Sequence, residues 1–395
     1  MLQLRRITSS VAYIPEIDGI RFIAILLVVF YHLTGDILRH SPPGYVNSLY
    51  SNPIFWVSVR GIFGVHMFFV VSGFVLALPF ARNSLTGSPA PNLKRYYLRR
   101  VTRLEPPYVV ALLLFFFLKV LTGRGTAAAL WPHLIASIFY QHNLIYDVPS
   151  SIEFVAWTLE IEVQFYVLAP LIAAIAFRSS STGARRAGLL AATLIAGLIA
   201  RTLYPLSPRF GISILCYLQY FLGGFLLADL YVLTAPGTRS GAGWDVIAMG
   251  GLAGSFGWMY LGMPLEYLAP LTLLVGYYAV FRGVFLRRLL SLTFISTVGG
   301  MCYSIYLIHN YVIASGGFAT EVVTGRLSFP LRFGFQSLVL LPMVLAASVV
   351  FYIAIERPCM NPNWPRQLAR RLGLLNAPRP QNEGSAITIR PMKAD

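Results

Sequence analysis

The chain has 395 residues, 56% of them hydrophobic and only 12% charged, and its mean hydropathy is +0.66. Those values exclude an ordinary water-soluble domain and indicate a membrane protein. The net charge of +16 would suit nucleic acid, but the basic residues are dealt out among loops between apolar stretches and form no patch interleaved with aromatics, so no nucleic-acid partner is expected.

At about 20 residues per crossing, candidate spans fall at residues 19–37, 62–80, 107–121, 157–177, 187–203, 212–233, 246–261, 267–281, 292–314 and 333–355. The expected fold is therefore all-α and polytopic, with about ten transmembrane helices in the lipid bilayer. Arg5 and Arg6 precede the first span as in a signal peptide, but no small-residue cleavage site follows, so that span is read as retained. The apolar piece 127–140 is short and holds Pro132 and His133, which predicts a re-entrant or interfacial helix. Alternate loops, the N-terminal segment and the chain from Arg357 onward hold 23 of the 31 Lys and Arg residues, which predicts that both termini are cytoplasmic. Residues 1–358 are expected to form the membrane domain. Residues 359–395 are expected to be a basic cytoplasmic tail, disordered in part, with a short interfacial helix around 367–375. Cys216, Cys302 and Cys359 show neither metal nor disulfide spacing, so no metal is expected.

Ionisable residues at membrane depth cost about 2.5–3.5 kcal/mol on insertion scales and usually face a cavity. The first span, IDGIRFIAILLVVFYHL, carries Arg21 and His32 eleven residues apart, which puts both on one helix face. Their separation along the axis is roughly 16 Å. Arg21 is placed at the cytoplasmic mouth and His32 in the outer half of the membrane. The bland alternative is a snorkelling arginine and a hydrogen-bonded core histidine. WTLEIEVQFY adds Glu160 and Glu162, YSIYLIHN adds His309 and GVHMFFVVSGF adds His66, all at the outer level. These histidines and acids are expected to converge on one cluster. On the cytoplasmic side, RYYLRRVTRLEPPY sets Arg100 and Arg103 one helical turn apart, just before a span whose start is fixed by Pro106 and Pro107. Such a pair can grip phosphate; equally, it can be a topogenic charge beside anionic lipid.

These stretches, in this order, resemble the integral-membrane acyltransferase-3 family, O-acyltransferases of bacterial surface glycans and some secondary metabolites. The resemblance runs nearly to Pro358. Arg21 and His32 match its arginine, ten residues, histidine motif, Arg100 and Arg103 its paired arginines, and IERP (355–358) its closing motif. His66 stands where the family is often acidic, and Thr158 and Cys302 stand where serine is usual, so His66 inherits no role. The soluble hydrolase-like domain of some members is not found, which leaves any acyl relay to the membrane domain or a separate partner.

The resemblance implies acyl-CoA as donor co-substrate, its phosphates on Arg21, Arg100 and Arg103, with acetyl as the first expectation for the acyl group. The acceptor is a sugar hydroxyl of a glycan or glycolipid outside the membrane, or alternatively a small secondary metabolite. His32 is then the general base for direct transfer or, alternatively, the site of an acyl-histidine intermediate; Glu162 orients or stabilises its ring, and His309 is a second base or an oxyanion donor. A bacterial inner membrane is the expected location. A proton-coupled transporter would also use intramembrane His and Glu, but the two halves of the chain show no matching repeats. A non-catalytic scaffold leaves the placement of His and Arg unexplained.

Overall fold

The computed structural model describes residues 13–234, 240–260, 266–361, 363–365 and 369, and every regular element among them is helical. In chain order these are α1 (Pro15–Arg39), α2 (Pro53–Ser58), α3 (Phe63–Thr86), α4 (Leu93–Leu121), α5 (Ala127–Ile138), α6 (His142–Tyr146), α7 (Ala156–Ala176), α8 (Thr182–Leu203), α9 (Pro208–Gly211) and α10 (Leu218–Leu233). There follow α11 (Ala242–Tyr260), α12 (Ala269–Val280), α13 (Phe285–Leu290), α14 (Thr293–Gly300), α15 (Cys302–Thr324) and α16 (Phe329–Phe351), the last running into a π turn at Tyr352–Glu356. Six helical stretches among the described residues are long and apolar enough to cross a membrane: α1, α2–α3 together, α4, α7, α8 and α16 with its continuation. The protein is an integral, all-α polytopic membrane protein.

Each of the ten expected spans overlaps helix among the described residues, and two of them differ for physical reasons. Proline does not start α4, which begins at Leu93 with the Asn92 side chain accepting from the Arg95 N–H and runs through Pro106 and Pro107. A proline within a helix frees the carbonyl four residues back. For Pro106 that is Thr102, whose carbonyl instead accepts the Trp364 indole N–H at 2.8 Å. The stretch 292–314 is broken after Gly299 and Gly300, so that α15 starts afresh at Cys302. There the buried Glu356 carboxylate accepts the Ser304 N–H (3.1 Å) and hydroxyl (2.5 Å), serving an N–H that the first turn leaves without a helical partner. The piece 127–140 forms the 12-residue α5, too short to span. Met360 and Trp364, past the expected boundary at 358, pack back onto this body. The expected interfacial helix around 367–375, like Arg5 and Arg6, lies outside the described residues.

The centre is α1 and α3. The α2–α3 stretch buries 78% of its apolar window inside the protein against 28% for α8, so α3 is a core helix and α8 a peripheral one. The α3–α10 crossing is close because glycines face each other: a Cβ at Gly73 would collide with the Phe221 carbonyl and one at Gly224 with that of Val70. α1 packs on α3, α14 and α15, so Arg21 and His32 face helices from both ends of the chain.

Candidate active site

Arg21 and His32 each open onto a cavity, and the two cavities are stacked along α1. The first, of about 390 Å³, is walled by Asp18 and Arg21 of α1, Phe68 and Ser72 of α3, Arg99, Arg100 and Arg103 of α4, Glu162 and Tyr166 of α7, and Cys302, Tyr303 and Tyr306 of α15. The second, of about 490 Å³, is walled by Tyr31 and His32 of α1, Phe154 and Trp157, the segment Tyr204–Ile212 and Tyr217, again with Tyr306. Val65 and Tyr306 alone line both.

Four guanidinium groups face two carboxylates in the first cavity. Arg21 forms an ion pair with the buried Asp18 at 2.7 Å, three residues earlier on the same helix. Arg100 lies 3.9 Å over the Tyr96 ring and 5.4 Å from that of Tyr166, a cation–π seat that fixes its fork. Arg99 and Arg103 each hold a buried Nε without a hydrogen-bond partner. Glu162 accepts a short hydrogen bond from the Ser72 hydroxyl and shares the cavity with Tyr166. The α15 N-terminus also borders this space, and its dipole adds positive potential. Excess positive charge with unpartnered donors is what an anionic ligand requires.

In the second cavity His32 stands against His309, ring centroids 4.9 Å apart and edge to face. The His309 Nδ1 is 3.0 Å from the Ile305 carbonyl and 2.8 Å from that of Tyr306. Two carbonyl acceptors assign the proton to Nδ1, so Nε2, which is buried without a hydrogen-bond partner, carries a lone pair. His309 is thus a proton acceptor beside His32 and, in this tautomer, offers no donor to an oxyanion. The remaining wall is aromatic and proline-rich, with Tyr204 and Phe154 exposed at the rim.

Sequence and structure part company over the expected outer cluster. Only His32 and His309 meet. Glu162 shares the arginine cavity, bound to Ser72, and does not reach the imidazole pair, because Trp157 at the start of α7 faces the histidine cavity while Glu162, more than a turn further on, faces the other. Glu160 is buried and accepts the Asn143 N–H at 2.8 Å, pinning the α6 segment to α7. His66 lies among aromatic rings, 4.7 Å from Tyr220 and 5.6 Å from Tyr217, and lines neither cavity. His133 pairs with His142 at 2.9 Å in the α5–α6 hairpin.

Residues 14–357 match the acyltransferase-3 family, described as an acyltransferase domain. The chain belongs to that family. Among similar proteins, the peptidoglycan O-acetyltransferase OatA of Listeria monocytogenes is 30% identical over 173 residues, 40% of this chain and 24% of its own. A provisionally named O-acetyltransferase of Staphylococcus aureus (strain COL) is 30% identical over 174 residues, 42% of this chain and 25% of its own. A provisionally named peptidoglycan O-acetyltransferase of Bacillus subtilis is 27% identical over 197 residues, 46% and 27% of the two chains. The match thus spans about a quarter of the length of these relatives. No solved structure matches.

Four residues of this acyltransferase-3 site escape the sequence reading. Arg99 looks like one more cytoplasmic charge until α4 proves helical from Leu93, which brings it round to the cavity beside Arg100 and Arg103. Asp18 was legible, three residues before Arg21 at ion-pair spacing. Ser72 and Tyr306 carry no signal of their own, since an isolated hydroxyl in an apolar span is usually a packing residue.

Proposed function

We propose that the protein is a membrane O-acyltransferase that moves an acyl group, acetyl first among candidates, from acyl-CoA to a hydroxyl of a glycan or glycolipid on the opposite face of the membrane. The bacterial inner membrane, with both termini cytoplasmic, is the setting that fits this transfer. The observation that carries the reading is the stacking on α1 of a cationic cavity with unpartnered Arg99 and Arg103 donors beneath a cavity holding His32. An acyl thioester with a phosphate-bearing handle needs such a pair of chambers; a carrier of neutral solutes does not.

In this reading Arg21, Arg99, Arg100 and Arg103 bind the donor phosphates and the pantetheine arm runs along α1 toward His32. The acceptor hydroxyl enters past Tyr204 and meets the neutral His32 imidazole, which takes its proton as the oxygen attacks the thioester carbonyl. The tetrahedral intermediate then expels the coenzyme A sulfur, and the proton returns from the imidazolium to the thiolate. The His309 Nε2 lone pair supports the cation formed on His32. Glu162 offsets guanidinium charge in the donor cavity instead of orienting the base.

Purified protein in nanodiscs, given radiolabelled acetyl-CoA and an oligosaccharide acceptor, is expected to release coenzyme A and label the acceptor. His32→Ala is expected to lower transfer by about 10²–10⁴, the usual cost of losing a general base, with unchanged donor affinity. Near-normal turnover in that variant would refute the role of His32, and failure of acetyl-CoA to bind the parent protein would refute the donor.

A further inference from the structure

The two cavities are neighbours, but the residues they share form a wall. Tyr306 is 7% exposed, and its ring is wedged between Phe68 of the arginine cavity (centroids 6.5 Å) and His309 of the histidine pair (5.8 Å). Its hydroxyl donates to the Val155 carbonyl at 3.0 Å and lies 2.6 Å from the Thr158 hydroxyl, both at the start of α7. Val65 of α3 completes the wall, 3% exposed. On the route from Arg21 to His32, the tyrosine ring therefore occupies the space that anything passing between the chambers must cross.

We propose that Tyr306 is the gate of the donor path, latched shut by Thr158 and the Val155 carbonyl, and that Tyr306 with Val65 sets the bulk of the acyl group admitted to His32. The inference rests on the acyl-transfer reading for its substrate, but not for its geometry. A latch made of neutral hydrogen bonds suits a gate: each is worth little net, so a bound donor can displace the ring. The same helical turn carries both sides of the device, since the Tyr306 carbonyl is an acceptor for His309 Nδ1. Closure keeps the membrane sealed along α1 when no donor is present. Opening swings the tyrosine without unseating the histidine that stands three residues on.

The test uses Cys302, which lines the arginine cavity. In the full-length chain carrying Cys216→Ser and Cys359→Ser, a charged, membrane-impermeant methanethiosulfonate is applied to sealed vesicles of each orientation. Labelling of Cys302 is expected to be rapid from the Arg21 face and at least tenfold slower from the Tyr204 face. Tyr306→Ala and Thr158→Val are each expected to raise the rate from the Tyr204 face at least tenfold, leaving the other face unchanged. Thr158→Val keeps the side-chain shape, so it carries the test if Tyr306→Ala does not fold. Equal labelling from both faces in the parent, or no change in either variant, overturns the gate. A second arm follows transfer from acetyl-CoA and hexanoyl-CoA. Val65→Ala is expected to raise the hexanoyl-to-acetyl ratio at least tenfold, and an unchanged ratio overturns the specificity role. Labelling needs no turnover, so shifted labelling without any acyl transfer upholds the gate and removes the proposed function. Transfer that persists with unshifted labelling removes the gate and leaves the function.

Discussion

Arg100 and Arg103 stand three residues apart on α4, yet their surroundings predict different consequences of losing them. Arg103 holds a buried Nε with no protein partner, so Arg103→Ala removes a donor that the protein itself does not use. A hydrogen bond to a charged group is worth about 1.5–3 kcal/mol, which translates to a roughly ten- to hundredfold weaker Kd for acyl-CoA. Thermal stability should hold or rise, because a half-buried guanidinium whose buried Nε lacks a hydrogen-bond partner has been deleted. Arg100, by contrast, is stacked at 3.9 Å on Tyr96 and also faces Tyr166, linking α4 to α7. Arg100→Ala should weaken the donor by a similar factor and also forfeit about 0.5–2 kcal/mol of cation–π stabilisation, lowering Tm. Calorimetric titration with acetyl-CoA and a melting curve of the detergent-solubilised protein separate the two. Unchanged donor affinity in Arg103→Ala would reduce the arginines to topogenic charges. An equal loss of Tm in both variants would refute the distinction between a seated and an unpartnered guanidinium.

Three further outcomes follow from the same geometry. Glu162→Gln keeps an acceptor for Ser72 but removes one of two carboxylates from the arginine cavity; the KM for acyl-CoA should fall while kcat stays within about tenfold, whereas a group orienting His32 would cost kcat about 10² or more. Glu356→Ala strands the Ser304 N–H and hydroxyl at the start of α15, two bonds to a charged acceptor worth about 1.5–3 kcal/mol each as an upper figure, so Tm and activity should fall together, and Glu356→Gln should recover part of both. Asp245→Ala leaves the N–H groups of Val284, Phe285 and Leu286 without their cap and should lower Tm without changing kcat. Burial opposes ionisation of Asp245, but those three donors together hold its carboxyl below the usual carboxylate range, so its contribution is complete above the unfolded value of about 3.9 and is lost only as pH falls through the depressed native one. A Tm difference between wild type and Asp245→Ala that itself changes with pH near neutrality would contradict that sign.

The helical architecture was legible because apolar length is a strong signal: every expected span overlaps helix among the described residues, from α1 to α16. The α1 face carrying Arg21 and His32 was legible for the same reason, as helical periodicity acts within one element. Depth and rotation relative to neighbouring helices were less readable. Glu162 lies more than a turn further along α7 than the residue facing the imidazole cavity, beside Ser72 and the arginines. His66 fails by its surroundings, turned into the Tyr217–Tyr220 nest. The start of α4 was misplaced because Pro106 and Pro107 read as a helix start, when the carbonyl freed by Pro106 finds the distant Trp364 indole. Such partners join residues over 200 positions apart, and no local pattern announces them.

The acids of the arginine cavity explain how four arginines can line one space. Unpaired charges removed from water cost several kcal/mol apiece, so a cavity of guanidinium groups alone would oppose folding. Asp18, buried against Arg21, and Glu162, held by Ser72, neutralise part of that charge, and the Tyr96 and Tyr166 rings take up Arg100. What remains is a surplus of about two positive charges concentrated on Arg99 and Arg103, whose Nε donors are the ones left unpartnered. Full neutralisation would stabilise the protein and abolish its attraction for anions; none would leave it unable to fold. The cavity lies between these limits, and the anionic donor proposed above would complete the pairing that folding left open.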